Sequence, residues 1–324
     1  MQSRLVSIVV PVFNEEGSLE SLASQICQVS RDRQWNVEVV FVDDGSRDAS
    51  WSKIVALAAG DPSIGGIRFQ TNAGKAAALM AGFATARGDL VITMDADLQD
   101  PPEEIPRLVE TIDQGYDVVS GWKRPRHDPW HKVCPSRVFN KLIGLLTGVH
   151  LHDHVCGLKC YRRAVLRHIR IYGDLHRFLC VLAAEKGFRI TEIPTLHRPR
   201  TTGMGKYGFS RFAKGFVDLL AVWLMMHFGR RPQHLLSVVG LWLMVISLLV
   251  FGMYMLAPQW LRFGGSLAWL VGLAVAVIPG LTLLVIGLVA ALIVSRRRFD
   301  DLYIVAERVG WCATVQSPAE HTST

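Results

Sequence analysis

The chain has 324 residues, half of them hydrophobic, and a net charge of +7. That length allows one or two domains, and so modest a charge gives no reason to expect a nucleic-acid partner. The six cysteines contain no CxxC pair, so in a reducing cytosol they are expected to be free and buried. The apolar residues are unevenly spread. Up to about Met204, short apolar runs alternate with polar helical stretches, as in a soluble α/β domain. Beyond about Leu235 the chain becomes membrane-like. The opening MQSRLVSIVVPVFNEE has too short an apolar run for a signal peptide, which leaves the N-terminal domain in the cytosol.

In chain order, residues 6–12 read as an apolar strand running into Pro11-Val12-Phe13-Asn14-Glu15-Glu16, followed by a helix over 18–30. A strand over 35–42 stops in Asp43-Asp44-Gly45-Ser46, and a helix over 50–59 leads to a strand over 64–70. Asn72-Ala73-Gly74-Lys75 is a turn that opens an Ala-rich helix over 75–86. A strand over 90–94, a helix over 102–114 with proline in its first turn, and a strand over 117–120 follow. This β-α alternation with short links predicts a doubly wound, mostly parallel sheet. No G-x-G-x-x-G follows the first strand, so a dinucleotide site is not expected.

The strand at 90–94 ends in Asp95-Ala96-Asp97. Ligands of such sheets collect at the carboxyl ends of strands. Two carboxylates spaced by two in an extended segment face the same way. Hard oxygen ligands on one side suit Mg²⁺ or Mn²⁺ that also holds a substrate phosphate. A solvated acidic turn is the plainer alternative. Glu15 and Asp43/Asp44 lie at neighbouring strand ends, where acids accept the N–H and O–H groups of a nucleotide, and Lys75 can meet a phosphate. Each alone reads as turn chemistry or a solvated first-turn lysine; together they point to a nucleotide-sugar pocket.

VVPVFNEE, FVDDGSRD, NAGKAAAL and DADLQDPPE, in this order and spacing, resemble the family 2 glycosyltransferases of GT-A fold. The likeness is to their polyprenyl-phosphate branch, which includes dolichol-phosphate mannose synthases. It continues through GWKRPRHD, CGLKCYRR, GDLHRF and HRPRTTGMGKYG, about two thirds of the chain. The resemblance implies donor binding by Pro11, Phe13, Glu15 and Asp44 around base and ribose, and by Lys75, Asp95, Ala96 and Asp97. It places the metal and diphosphate at Asp95, Asp97 and Gln99. The segment over 123–206 is rich in cations. It reads either as a basic face resting on anionic headgroups or as a pocket for a phosphate monoester. The resemblance puts Lys123 or Arg124, Lys159, Arg200 and Lys206 nearest the acceptor phosphate. Here Gly203-Met204-Gly205-Lys206-Tyr207 stands where relatives read G-x-S-K-Y, and Leu158-Lys159 replaces an aromatic-Arg pair.

His150, His152, His154 and Cys156 alternate and would share one face of a strand, which invites a zinc site. Four ligands in a flat row seldom close a tetrahedron, so a polar pocket edge containing Asp153 is the stronger expectation.

Residues 209–228 read as an amphipathic helix in the membrane interface, with a buried soluble helix as the alternative. Uncharged stretches over 235–256 and 264–294 are long enough to span, with Pro279 a kink in the second. Arg230 and Arg231 before the first, and Arg296, Arg297 and Arg298 after the second, put both termini and the catalytic domain in the cytosol. Gly272, Gly280 and Gly287 offer small-residue contacts for a homo-oligomer. The expected organisation is a GT-A domain over 1–207 and a juxtamembrane amphipathic helix over 208–234. A transmembrane hairpin over 235–295 and a cytosolic tail over 296–324, disordered after about Gly310, complete it.

The expected activity is metal-dependent, inverting transfer of a sugar from a UDP- or GDP-sugar to a polyprenyl monophosphate. The protein would be integral to the plasma or inner membrane of a bacterium and act on the cytosolic leaflet. Asp153 is the candidate base if one is needed. The alternatives are a transferase acting on a sugar hydroxyl of a lipid-linked or polymer acceptor, and a non-catalytic nucleotide-sugar-binding scaffold.

Overall fold

The computed structural model describes residues 4–124, 130–198, 210–228 and 305–314, with isolated positions at 278, 285 and 289. The chain forms two compact units, Met1–Leu219 with Arg298–Thr324, and Leu220–Arg297. Apart from those three isolated positions, the stretches expected to span a membrane, 235–256 and 264–294, lie outside the described residues. Among the described residues no helix is long and apolar enough to cross a membrane.

The first unit is built on one mixed sheet. Strand β1 (Leu5–Val12) buries Val6, Ile8, Val9, Val10 and Val12, an almost continuous apolar run because both faces are covered. Helix α1 (Leu19–Arg33) turns Leu19, Leu22, Ala23 and Ile26 to the core at helical spacing. Strand β2 (Asn36–Asp43), helix α2 (Ser50–Gly60) and strand β3 (Ile64–Phe69) follow. Helix α3 (Lys75–Thr85) is buried at nearly every position, and its alanines let it lie close on β1 and β2. Strand β4 (Leu90–Thr93) leads through a 3₁₀ turn (Pro102–Glu104) to α4 (Ile105–Ile112). The single helix expected over 102–114 is thus a 3₁₀ turn and a shorter α-helix, with Pro106 in the first turn of the latter.

Strand β5 (Val118–Lys123) runs three residues past its expected end. Helix α5 (Trp130–Thr147), strand β6 (Lys159–Arg162) and the short helix α6 (Arg163–Leu166) come next. A 3₁₀ turn (Leu175–Phe178), α7 (Leu179–Glu185), β7 (Ile190–Thr195) and α8 (Ser210–Phe228) complete this part. Helix α8 matches the expected helix over 209–228; it buries Gly215 and Leu219 and leaves Phe216 and Val217 exposed.

The strand order is β7-β5-β6-β4-β1-β2-β3-β8. All run the same way except β6 and β8, which are antiparallel to their neighbours. The ends of β1, β2, β4, β5 and β7 and the start of β6 therefore share one rim, which is where the site assembles. Residues 150–156 are not a strand. Their alternation therefore does not line up a ligand row: His152 stacks on Trp122 at the surface, whereas His154 is fully buried.

Strand β8 (Val305–Gly310) was not expected. Residues read from sequence as part of a tail pair antiparallel with β3 and continue into a 3₁₀ turn, Trp311–Thr314. The Trp51 indole donates to Glu307 at 2.6 Å, Arg87 lies 4.0 Å over the Trp311 ring, and Cys312 is fully buried. These contacts cover a sheet edge that would otherwise present unpaired backbone. Removing residues 305–324 should lower the thermal midpoint of the full-length protein in detergent by about 5 °C. Tryptophan fluorescence during heating measures it; an unchanged midpoint would show that β8 adds nothing to the fold.

Candidate active site

The loops after β1 and β2 are stitched together. Asn14 N–H donates to Ser46 Oγ (2.9 Å), Glu15 N–H to Ser50 Oγ (3.0 Å), and Ala49 N–H to the Glu16 carboxylate (2.7 Å). Pro11 pairs in register with Val42, so Pro11, Phe13, Glu15 and Asp44 gather at one place on the rim. Asp44 is buried and accepts hydrogen bonds from Ala73 N–H (2.7 Å), Gly74 N–H (3.0 Å) and Asn72 Nδ2 (3.0 Å). Bonds to a charged acceptor are worth on the order of 1.5–3 kcal/mol each. Asp44 thus latches the turn that carries Lys75. Gly45 permits this, for its φ is +70° and a Cβ there would lie 2.8 Å from the backbone of Thr71 and Asn72. Burial raises the Asp44 carboxyl to about 6, against the pull of the Ala73 and Gly74 N–H groups and with a push from Asp43.

Beyond that turn, Lys75 Nζ reaches Asp95 Oδ1 at 2.5 Å. Both side chains are about a third exposed (33% and 31%), so the pair adds little to stability, and its importance is local. Burial opposes the Asp95 charge, but the Lys75 ammonium, seconded by Lys123, holds the carboxyl at about 2. Asp97 behaves oppositely: burial and the neighbouring Asp95 charge raise it. Between them Ala96 is buried, and Leu98 adopts a left-handed φ of 60° that folds the loop so that Gln99 N–H reaches Asp97 Oδ1 at 3.2 Å.

An open cavity of about 280 Å³, mouth included, is lined by Lys75, Thr93, Asp95, Gly157, Lys159 and His176 among others. Gly157 lies against the Asp95 carboxylate, where a Cβ would come within 2.7 Å of it. Thr93 Oγ1 holds the Gly157 carbonyl at 2.8 Å. Lys159 faces the cavity, yet its ammonium is held by the His154 and Cys156 carbonyls. His176 is kept neutral by burial and by Lys75 and Arg177, which push its pKa well below the usual value.

Lys75, Asp95 and Lys159 therefore line one cavity, Asp97 and Gln99 follow on the loop that carries Asp95, and Asp44 holds the turn that carries Lys75. Lys123 comes to the same rim but pairs with Asp100. Arg124 is exposed against the Trp122 ring. Asp153, the candidate base, is buried and accepts the Val155 N–H at 3.0 Å. Arg200 and Lys206 lie outside the described residues. Sequence reasoning missed Asp100, His176 and His197. All three sat inside quoted motifs, DADLQDPPE, GDLHRF and HRPRTTGMGKYG, without a role.

The profile of glycosyl transferase family 2 matches residues 7–170. The chain is 42% identical over 238 residues to the undecaprenyl-phosphate 4-deoxy-4-formamido-L-arabinose transferase of Aeromonas hydrophila, covering 73% of this chain and 72% of that one. It is 37% identical over 257 residues to the dodecaprenyl-phosphate galacturonate synthase of Rhizobium johnstonii, covering 77% and 75%. Among solved structures, glucosyl-3-phosphoglycerate synthase of Mycobacterium tuberculosis, in complex with Mn²⁺, UDP and phosphoglyceric acid, superposes with a TM-score of 0.54. That match has 20% identity over 69% of this chain and 78% of that one, a likeness of fold. The protein defined by this sheet and this rim is a glycosyltransferase. The chain belongs to glycosyl transferase family 2, and its relatives named above fall in the polyprenyl-phosphate branch.

Because Gly157 touches the Asp95 carboxylate, Gly157→Ala should displace it and lower kcat by roughly tenfold or more while the fold persists. Steady-state rates beside near-ultraviolet circular dichroism test this; an unchanged kcat would mean that the contact does not set the Asp95 position.

Proposed function

We propose that this enzyme transfers a sugar, with inversion, from a UDP- or GDP-sugar to a polyprenyl monophosphate at the cytosolic leaflet, using Mg²⁺ or Mn²⁺. The observation that carries the reading is the Lys75–Asp95 pair lining a cavity at the carboxyl end of β4, with Asp97 two residues on. The names of the relatives, sugar transferases acting on undecaprenyl and dodecaprenyl phosphates, support the acceptor class.

The donor set fits a hard divalent cation. Asp95 remains ionised at any physiological pH, and the carboxyl of Asp97 is raised partly by that charge, a repulsion that a cation relieves. Asp95, Asp97 and Gln99 would hold the ion, which when bound neutralises charge on a departing diphosphate. Lys75 adds a second positive charge at the same place. Pro11, Phe13, Glu15 and Asp44 form the neighbouring end of the rim, where the base and ribose would lie. A phosphate monoester, with a second pKa of about 6, is largely dianionic at neutral pH and needs no strong base. The burial of Asp153 is consistent with that.

The acceptor also explains the membrane features. The exposed Phe216 and Val217 of α8 suit an interfacial helix, and the hairpin over 235–295 would anchor the domain at headgroup depth. Full-length protein in detergent with Mn²⁺, a polyprenyl phosphate and a panel of labelled UDP- and GDP-sugars should yield a labelled, mild-acid-labile lipid with one donor. The double variant Asp95→Asn/Asp97→Asn should lose on the order of 10²–10³-fold in rate. Donor hydrolysis with no lipid product across the panel would favour a hydroxyl acceptor instead.

A further inference from the structure

Asp100, Lys123 and His197 meet beneath the Asp95/Asp97 loop, each delivered by a different segment. Asp100 follows the loop after β4, Lys123 is the last residue of β5, and His197 follows β7. Asp100 is fully buried, and among the described residues neither of its carboxylate oxygens makes a hydrogen bond. Lys123 Nζ lies 3.6 Å and His197 Nδ1 3.9 Å from Asp100 Oδ1, and both of these side chains are themselves largely buried. A buried carboxylate without hydrogen bonds costs several kcal/mol unless a charge lies close by. The partner that serves here is Lys123, whose own charge would in turn be stranded without Asp100. The other carboxylates within its electrostatic reach are Asp95, Asp97 and Asp153, and the first two are those proposed to hold the metal.

We propose that Asp100 is a positioning residue that restrains the Lys123 ammonium, so that Asp95 and Asp97 stay available to a divalent cation instead of being neutralised by a second lysine. The inference rests on the metal reading of Asp95 and Asp97. The packing around the pair favours it. Arg198, next to His197, donates its N–H to the Gln99 carbonyl at 2.8 Å, and Leu196 N–H donates to Glu104 at 3.3 Å. The segment after β7 is therefore bonded on both sides of His197 to the segment that carries Asp100. The backbone that carries Asp100 is held in place by these bonds, whereas Lys123 reaches that residue along a long side chain.

The test is Mn²⁺ binding to the full-length protein in detergent without substrate, read from the paramagnetic resonance of free Mn²⁺. Wild type should show a site that Asp95→Asn/Asp97→Asn abolishes. Asp100→Asn should weaken that site about tenfold or more, the range typical of groups supporting metal ligands. Asp100→Glu, which keeps the charge, should bind more tightly than Asp100→Asn, and Asp100→Asn/Lys123→Met should return to about the wild-type affinity. If Asp100→Asn alone does not fold, the double variant should restore both folding and binding, since it removes the stranded ammonium. Wild-type affinity in Asp100→Asn overturns the inference and leaves the metal site standing. A double variant as weak as Asp100→Asn, or still unfolded, also overturns it. Absence of any Asp95- and Asp97-dependent Mn²⁺ site removes the metal reading and the inference together.

Discussion

Negative charge gathered on the rim of a sheet must be matched group by group, and the rest of this site depends on how that is done. Asp43 takes Ser46 N–H and the Arg68 guanidinium, and Asp44 takes Asn72 and two backbone N–H groups. Asp95 and Asp100 take lysines. The outcomes differ in a way that ranks the forces. Neutral donors leave the Asp44 carboxyl at about 6, whereas an ammonium in direct contact brings Asp95 to about 2. At Asp44 burial outweighs its neutral donors, whereas at Asp95 the Lys75 ammonium outweighs burial. The acids bonded to neutral donors shape loops, and the acid held by Lys75 faces the cavity.

The lysines divide along the same line. Lys75 stands at the first turn of α3, where the chain lifts it into the cavity. Lys159 has the same charge and lines the same cavity, yet two backbone carbonyls hold its ammonium. Lys123 is paired from below. Three lysines of one charge thus have three different partners: a carboxylate in the cavity, two backbone carbonyls, and a buried carboxylate outside it.

Much of the fold was legible because the forces behind it are local. Runs such as Val6–Val12 and Val39–Val42 need no partner to be read as strands, and the acids that end them announce the rim. The Asp95/Asp97 pair and Lys75 were legible for the same reason, by position relative to strand and helix ends. The surroundings of Asp153 were not legible, because an acid in a loop reads the same whether it is open to solvent or accepts a buried backbone N–H, here that of Val155. Asp100 and His197 were not legible because they meet only when β4 and β7 are brought onto one rim, across a gap in sequence with no periodic signal. Strand β8 escaped because six residues with two charges carry a weak strand pattern, and its partner β3 lies far away in the chain.

That distance affects how the molecule is made. Trp51 and Glu307, which bond across the β3–β8 edge, are separated by 256 residues. While the chain leaves the ribosome, β1 to β4 can pair early, but the outer edge of β3 stays open until residues beyond 304 emerge. By then the apolar stretches between have already been synthesised. The interval is one in which a bare strand edge is available to a neighbouring nascent chain, a setting for misassembly. Completion of the catalytic sheet is thus tied to the synthesis of everything between β3 and β8, and a chain interrupted before β8 is distinguishable by its open edge.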